Sequence, residues 1–303
     1  MSQIAFLGAI EIGLVYSLVA LGVFLSFRVL NFPDLTVDGS FPLGAAVTAT
    51  LIVNGQDPWL ATLLGTVAGA IAGVVTAALN VRFRILHLLA SILTMIALFS
   101  INLRVMGRPN VALISQETVL TPFLGHGLSQ AMVKPIFVGV IVLVVAFLLS
   151  RFLTSEFGLA MRATGANARM ARAQGISTNQ HTYVGMALSN ALVGLAGALF
   201  AQTNGFADVT VGVGTIVVGL AAVILGETLI RSRSILVMVL ACIVGSVLYR
   251  LAIQLALSAD FLGLKASDLN LVTAVLVAIA LILPGVGNPL ARFLKRPSGE
   301  ATR

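Results

Sequence analysis

Between residues 4 and 30 the chain carries only two charged side chains, Glu11 and Arg28. At about 1.5 Å per residue, a helix of that length outreaches the roughly 30 Å hydrocarbon core of a bilayer. Comparable runs follow at 41–53, 58–80, 85–103, 135–153, 181–202, 215–230, 235–256 and 269–286. A soluble domain is about 25% charged, whereas here 10% of residues are charged and 58% are hydrophobic. Apolar runs longer than about 18 residues call for helices, because the strands of an outer-membrane barrel alternate. The expected fold is therefore an all-α integral membrane protein with about nine transmembrane segments, whose first partner is the lipid bilayer. The first run is too long for a signal peptide and lacks its basic start and cleavage site, so it is kept as a span.

Charge then orients the chain. The formal charge of +7 is scattered among the spans rather than gathered on one domain, which fits topology better than nucleic-acid binding. With the polar loop 154–180 in the cytoplasm, Arg28, Arg82, Arg84, Arg151 and most other basic residues fall inside. Arg104, Arg108, Lys134, Arg250 and Lys265 fall outside or in the outer half. The expected topology is multi-pass in the cytoplasmic (inner) membrane, with the N-terminus outside and the C-terminus inside. The outer stretch 104–134 is either a docking surface for an external partner or a plain connector. A lone Cys242 within an apolar run excludes intrachain disulfides and cysteine-rich metal sites.

An internal repeat adds a constraint. Phe32-Pro33-Asp34-Leu35-Thr36-Val37 recurs as Phe206-Ala207-Asp208-Val209-Thr210-Val211, and at the same offset Leu18-Val19-Ala20-Leu21 faces Leu192-Val193-Gly194-Leu195. An odd number of spans separates the copies, so they are expected to lie inverted in the bilayer, as repeats at about 4–103 and 181–286 of a single domain over 1–303.

Each copy precedes an undersized span. The run 41–53 makes only about 20 Å of helix, so 31–39 is expected to enter the membrane as irregular backbone, tolerated only where protein or water surrounds it. Pro33, Gly39, Pro42 and Gly44 supply breaks, and Asp34, Thr36, Asp38 and Ser40 supply polar groups. Asp208, Thr210, Gly212 and Gly214 repeat the arrangement from the other side. Interrupted segments at matching positions point to a transport path, for which Asp34, Thr36, Asp38, Ser40, Asp208, Thr210 and Asn190 are the candidates. Alternatively, Asp34 and Asp208 only cap the helices that follow. Glu227 reads as paired with Arg231, four residues on.

No phosphate-binding loop, H-E-x-x-H, Cys/His cluster or G-x-S-x-G is present, so no catalytic or metal-ligating residues are assigned. Residues 158–175 instead read as one short helix, weakest at Gly165 and stopped by Gly175. Arg162, Arg169 and Arg172 share one face, and Leu159, Ala163, Ala166, Met170 and Ala173 lie on the rest. Such a helix suits docking into a groove of another protein, or else it is a surface loop whose arginines fix topology.

The stretch Glu156-Phe157-Gly158-Leu159-Ala160-Met161-Arg162-Ala163-Thr164-Gly165-Ala166-Asn167 resembles the coupling loop of permease subunits in bacterial ABC importers, within the superfamily of branched-chain amino acid, ribose and nucleoside permeases. Pro33-Asp34-Leu35-Thr36-Val37-Asp38-Gly39-Ser40 is similar to that superfamily's Asp-Leu-Ser-Val-Gly-Ser motif, with a threonine for the first serine and Asp38 inserted. With Phe32 and Phe41-Pro42-Leu43-Gly44-Ala45 it resembles a subgroup often assigned to tryptophan or tyrosine uptake. The resemblance implies a homodimer working with a separate ABC ATPase and an extracytoplasmic solute-binding protein. ATP and Mg would reside on the ATPase and no cofactor on this chain. Gly158, Arg162, Ala163, Gly165, Asn167, Arg169 and Gly175 would form the ATPase-coupling surface. An ion-coupled secondary transporter is the competing reading, with Asp34, Asp38 and Glu11 as its ion-binding candidates.

Overall fold

A computed structural model describes residues 3–123, 130–230, 232, 234–257 and the single positions 275 and 278. The first helix, α1 (Gln3–Val23), runs on through a π turn, Phe24–Val29. It is followed by α2 (Val37–Val53), α3 (Pro58–Val81), α4 (His87–Met106) and strand β1 (Asn110–Ala112). Next come α5 (Gln130–Thr154) and the short helices α6 (Glu156–Ala166) and α7 (Ala168–Ala173). Helix α8 (Thr178–Asn204), strand β2 (Phe206–Asp208), a 3-10 turn (Val209–Gly212), α9 (Thr215–Leu229) and α10 (Ile235–Leu257) complete the order. Among the described residues, seven helical stretches are long and apolar enough to cross a membrane, and α2 is a shorter apolar helix. The protein is an all-α, multi-pass membrane protein. Of the ninth expected segment, 269–286, only positions 275 and 278 are among the described residues.

Helix α1 forms the axis of the bundle. Its Val15, Leu18, Val19 and Leu21 are buried together with Val138 and Val142 of α5, Val193 and Leu199 of α8, and Val239 and Cys242 of α10. Lipid tails are as apolar as leucine, so close backbone approach rather than expulsion of water must bind helix to helix. Helix α3 meets that need with Gly65, Gly69 and Gly73 on one face, packed on Met186, Asn190 and Gly194 of α8. A Cβ at Gly73 would overlap the Met186 carbonyl. The opposite faces of α3, α4 and α5 expose Ile71, Ile96 and Phe147, a surface suited to lipid or to another membrane chain.

The two ends of the bundle are tied separately. At one end β1 pairs antiparallel with β2, Asn110 opposite Asp208 and Ala112 opposite Phe206. At the other, Arg28 Nε donates to both carboxylate oxygens of Glu227, at 2.8 and 3.0 Å. Glu227 thus reaches across to the π turn that continues α1; Arg231, the partner expected for it, lies outside the described residues.

The first break is also tighter than expected. Irregular backbone covers only 30–36, and α2 has 17 residues, starting at Val37 rather than Phe41. The Asp34 carboxylate accepts the Thr36 amide (2.9 Å), a local turn that fixes the N-cap residue from which α2 starts. Before it, the π turn closes with the Leu30 amide on the Leu25 carbonyl (3.0 Å), and Asn31 turns the chain at φ 53°.

Candidate functional site

Four of the sequence-predicted path residues form one buried knot. Asp34 is fully buried; its Oδ1 takes the Thr36 amide and its Oδ2 accepts from Asn190 Nδ2 at 2.8 Å. The Asn190 Oδ1 in turn accepts from Ser40 Oγ at 2.7 Å. Thr36 Oγ1 lies 2.8 Å from Thr76 Oγ1, which itself donates to the Ala72 carbonyl (3.2 Å). A buried polar group without a partner costs roughly 1–3 kcal/mol, and in this knot each member satisfies another. Chemically it is a lock that holds the broken segment 30–36 against α3 and α8.

Asp208 and Thr210 lie apart from the knot, at the β1–β2 end. Asp208 repeats the local geometry of Asp34: its Oδ1 accepts the amide two residues on, from Thr210 at 2.7 Å. Burial acts to raise its carboxyl, but hydrogen bonds from the Thr210 hydroxyl, the Thr210 amide and Asn110 outweigh that and hold it below the usual aspartate value. Asp208 thus caps the 3-10 turn that follows it, whereas Asp34 makes the same local bond one step before α2, to the amide of that helix's own N-cap residue, Thr36; the first is partly exposed and the second sealed in the bundle.

Asp38 joins the two interrupted segments. Its Oδ1 accepts the Ile216 amide (2.7 Å) and its Oδ2 the Gly214 amide (3.1 Å), so a residue in the first turn of α2 caps the N-terminus of α9. Gly214 has φ 83° and Gly212 sits against the Asp38 carbonyl, so neither position accepts a side chain without strain or a shift of backbone. Beside this junction opens a cavity of about 370 Å³ bounded by α2, α4 and the turn Val209–Gly212.

The coupling segment is two helices, not one. The break falls at Asn167, which adopts φ −157° and accepts the Arg169 and Met170 amides on its side chain (3.1 and 3.0 Å). Gly165, the expected weak point, stays helical because its bare Cα rests on the Val29 carbonyl at the end of α1. Ser155 caps α6 through the Gly158 amide (3.3 Å), and Gly175, at φ 82°, turns the chain after α7. The inward side holds Gly158, Met161, Thr164 and Ala171, with Met161 fully buried. Phe157 stacks on His181 of α8 with ring centroids 4.3 Å apart. The outward side presents Arg162, Ala163, Asn167, Arg169 and Arg172 together with Leu159 and Met170, all exposed. The break at Asn167 removes the single continuous face expected for the arginines, but all three remain on the outer surface.

Several residues with structural roles went unmarked or were read as ordinary. Gln202 is buried, takes the Val119 amide on Oε1 (3.0 Å) and donates to Thr62 (2.7 Å), pinning the loop after β1 to α3 and α8. His87 stacks on Phe32, centroids 4.3 Å apart. Asn102 is buried, and its Nδ2 donates to the Gly39 carbonyl (3.2 Å). A lone polar residue inside an apolar run was the available signal for Asn102 and Gln202. Partners distant in sequence decided what each does.

The family described as "Branched-chain amino acid transport system / permease component" matches residues 6–283. A tyrosine transport system permease protein of Clostridioides difficile (strain R20291) is 37% identical over 273 residues, covering 90% of this chain and 88% of that protein. The uncharacterized protein RP368 of Rickettsia prowazekii (strain Madrid E) is 32% identical over 277 residues, covering 90% and 95% respectively. Among solved structures, PsaBC from Streptococcus pneumoniae in complex with Fab shares the fold, with a TM-score of 0.52 at 16% identity over 97% of this chain and 94% of that one. With a family match over residues 6–283 and a transport permease relative 37% identical, this chain belongs to the branched-chain amino acid transport system permease family and is a transporter subunit, not an enzyme.

Proposed function

We infer that the protein is the membrane-spanning subunit of an ATP-driven ABC importer for a small solute, an amino acid with an aromatic side chain favoured. The observation that carries this reading is the platform made by α6 and α7. Its inward side is fastened to the end of α5 through Gly158, to α8 through Met161 and to the π turn that continues α1 through Gly165, while its outward side offers arginines, Leu159 and Met170 to a partner. Such a surface suits a soluble ATPase bearing ATP and Mg, whose closure would press α6 against the end of α1. Because Gly165 rests on Val29, that push reaches the π turn and the break 30–36 directly, then α2 and, through Asp38, α9.

The same reading takes two copies of the chain in the inner membrane, with the N-terminus outside and α6–α7 in the cytoplasm. An extracytoplasmic binding protein would deliver solute to the β1–β2 end. The relative that is named for tyrosine transport supports the aromatic preference.

The test is purification of the tagged chain in gentle detergent, followed by ATPase and uptake assays on what copurifies. A soluble ATPase in stoichiometric amount is expected. Gly165→Leu, which drives a side chain into the Val29 carbonyl, is expected to leave ATP hydrolysis running while uptake falls at least tenfold. Normal uptake by that variant would remove the platform from the mechanism.

A further inference from the structure

The cavity beside Asp38 has features that packing alone leaves unexplained. Met95, Ile96, Phe99, Pro42, Val209 and Val213 make most of its wall, and Asp38 and Asn102 bring polar groups to it. Its volume of about 370 Å³ falls within the roughly 300–1,000 Å³ range of small-ligand sites. Asn102 is fully buried, and the bond from its Nδ2 to Gly39 fixes which way the amide points. Its Oδ1 is left buried with no hydrogen-bond partner. Natural structures rarely leave such an acceptor empty, so it calls for a donor arriving from outside the chain.

Asp38 lies in the same wall. Two of the roughly four lone-pair sites of its carboxylate are taken by Gly214 and Ile216, leaving capacity for further donors. An unfilled carbonyl beside a carboxylate is a recognition pattern for an ammonium group. The apolar wall with Phe99 is a seat for a hydrophobic or aromatic side chain. The cavity also lies where the two interrupted segments meet, so a movement of either reshapes it.

We propose that this cavity is a solute subsite of the permease, taking an amino acid with an aromatic side chain, its ammonium donating to Asn102 Oδ1 and Asp38 and its ring packing against Phe99 and Met95. This rests on the permease reading above and adds a place and a polarity to it.

The experiment is photolabelling of the whole permease–ATPase complex with 4-azido-L-phenylalanine, with adducts mapped by peptide mass spectrometry. Adducts are expected within residues 95–102 or 209–213, displaced by L-tyrosine but not by 3-(4-hydroxyphenyl)propionate, which lacks the amine. Asn102→Leu is expected to reduce them at least tenfold. Phe99→Ala, on an exposed position and so less disturbing to folding, is expected to do so by about the same factor. Adducts elsewhere, equal displacement by the deaminated analogue, or labelling unchanged in both variants would overturn the subsite. Adducts displaced by added phospholipid but not by L-tyrosine would give the cavity to an acyl chain and also overturn it. If the same complex drives L-tyrosine uptake with ATP but shows no adduct, the subsite falls and the permease reading stands. If ATP drives no uptake at all, both fall.

Discussion

Asn190 has the most to lose in the buried knot, since it serves Asp34 through its nitrogen and Ser40 through its oxygen. Asn190→Leu should leave a carboxylate oxygen and a hydroxyl unpaired, destabilising the fold by about 1–3 kcal/mol for each group left unpaired. The check is thermal unfolding in detergent, where Asn190→Leu should melt well below the parent. Asp208 provides a titratable counterpart outside the spans. Its native value is depressed, so its contribution to holding β2 is complete above about pH 4, the ordinary aspartate value. That contribution is lost on further acidification through the native value. Hydrogen exchange at Val111 and Ala207 should rise on acidification in the parent more than in Asp208→Asn, once the intrinsic pH dependence of exchange is removed.

At the scale of elements, the short helices deserve separate tests because their boundaries have separate causes. Asn167→Ala removes the cap of α7 and should cost about 0.5–2 kcal/mol locally. Proteolysis between 166 and 175 should quicken while the spans stay intact. Spans were legible because apolar length is a local property, and their ends agreed with the helices to within a few residues from α3 to α10. The start of α2 was not legible, since it depends on Asp34, Thr36 and Asn190 meeting across long sequence distances. The split at Asn167 escaped for a related reason: Gly165 is the poorer helix former, but the Val29 carbonyl beside it makes glycine the residue that fits. The sequence placed the path candidates on two interrupted segments, but not that Asp34 would be sealed in and Asp38 left at a cavity. That division comes from the docking of Gly214 and Ile216, which no local pattern encodes.

For the whole molecule, the geometry links the outward platform to the junction between interrupted segments through a chain of contacts. It runs from Gly165 to Val29, along the break to Asp34 and α2, and by Asp38 to α9. Coupling by packed backbone of this kind predicts that energy enters at α6–α7 and not through ionisation of a buried carboxylate. The most direct test is L-tyrosine uptake into sealed proteoliposomes that hold the permease with its copurifying ATPase and binding protein, comparing ATP sealed inside with an imposed proton or sodium gradient. The account predicts accumulation with ATP that persists when an uncoupler is added. Accumulation driven by the ion gradient, abolished by the uncoupler and indifferent to ATP, would contradict it.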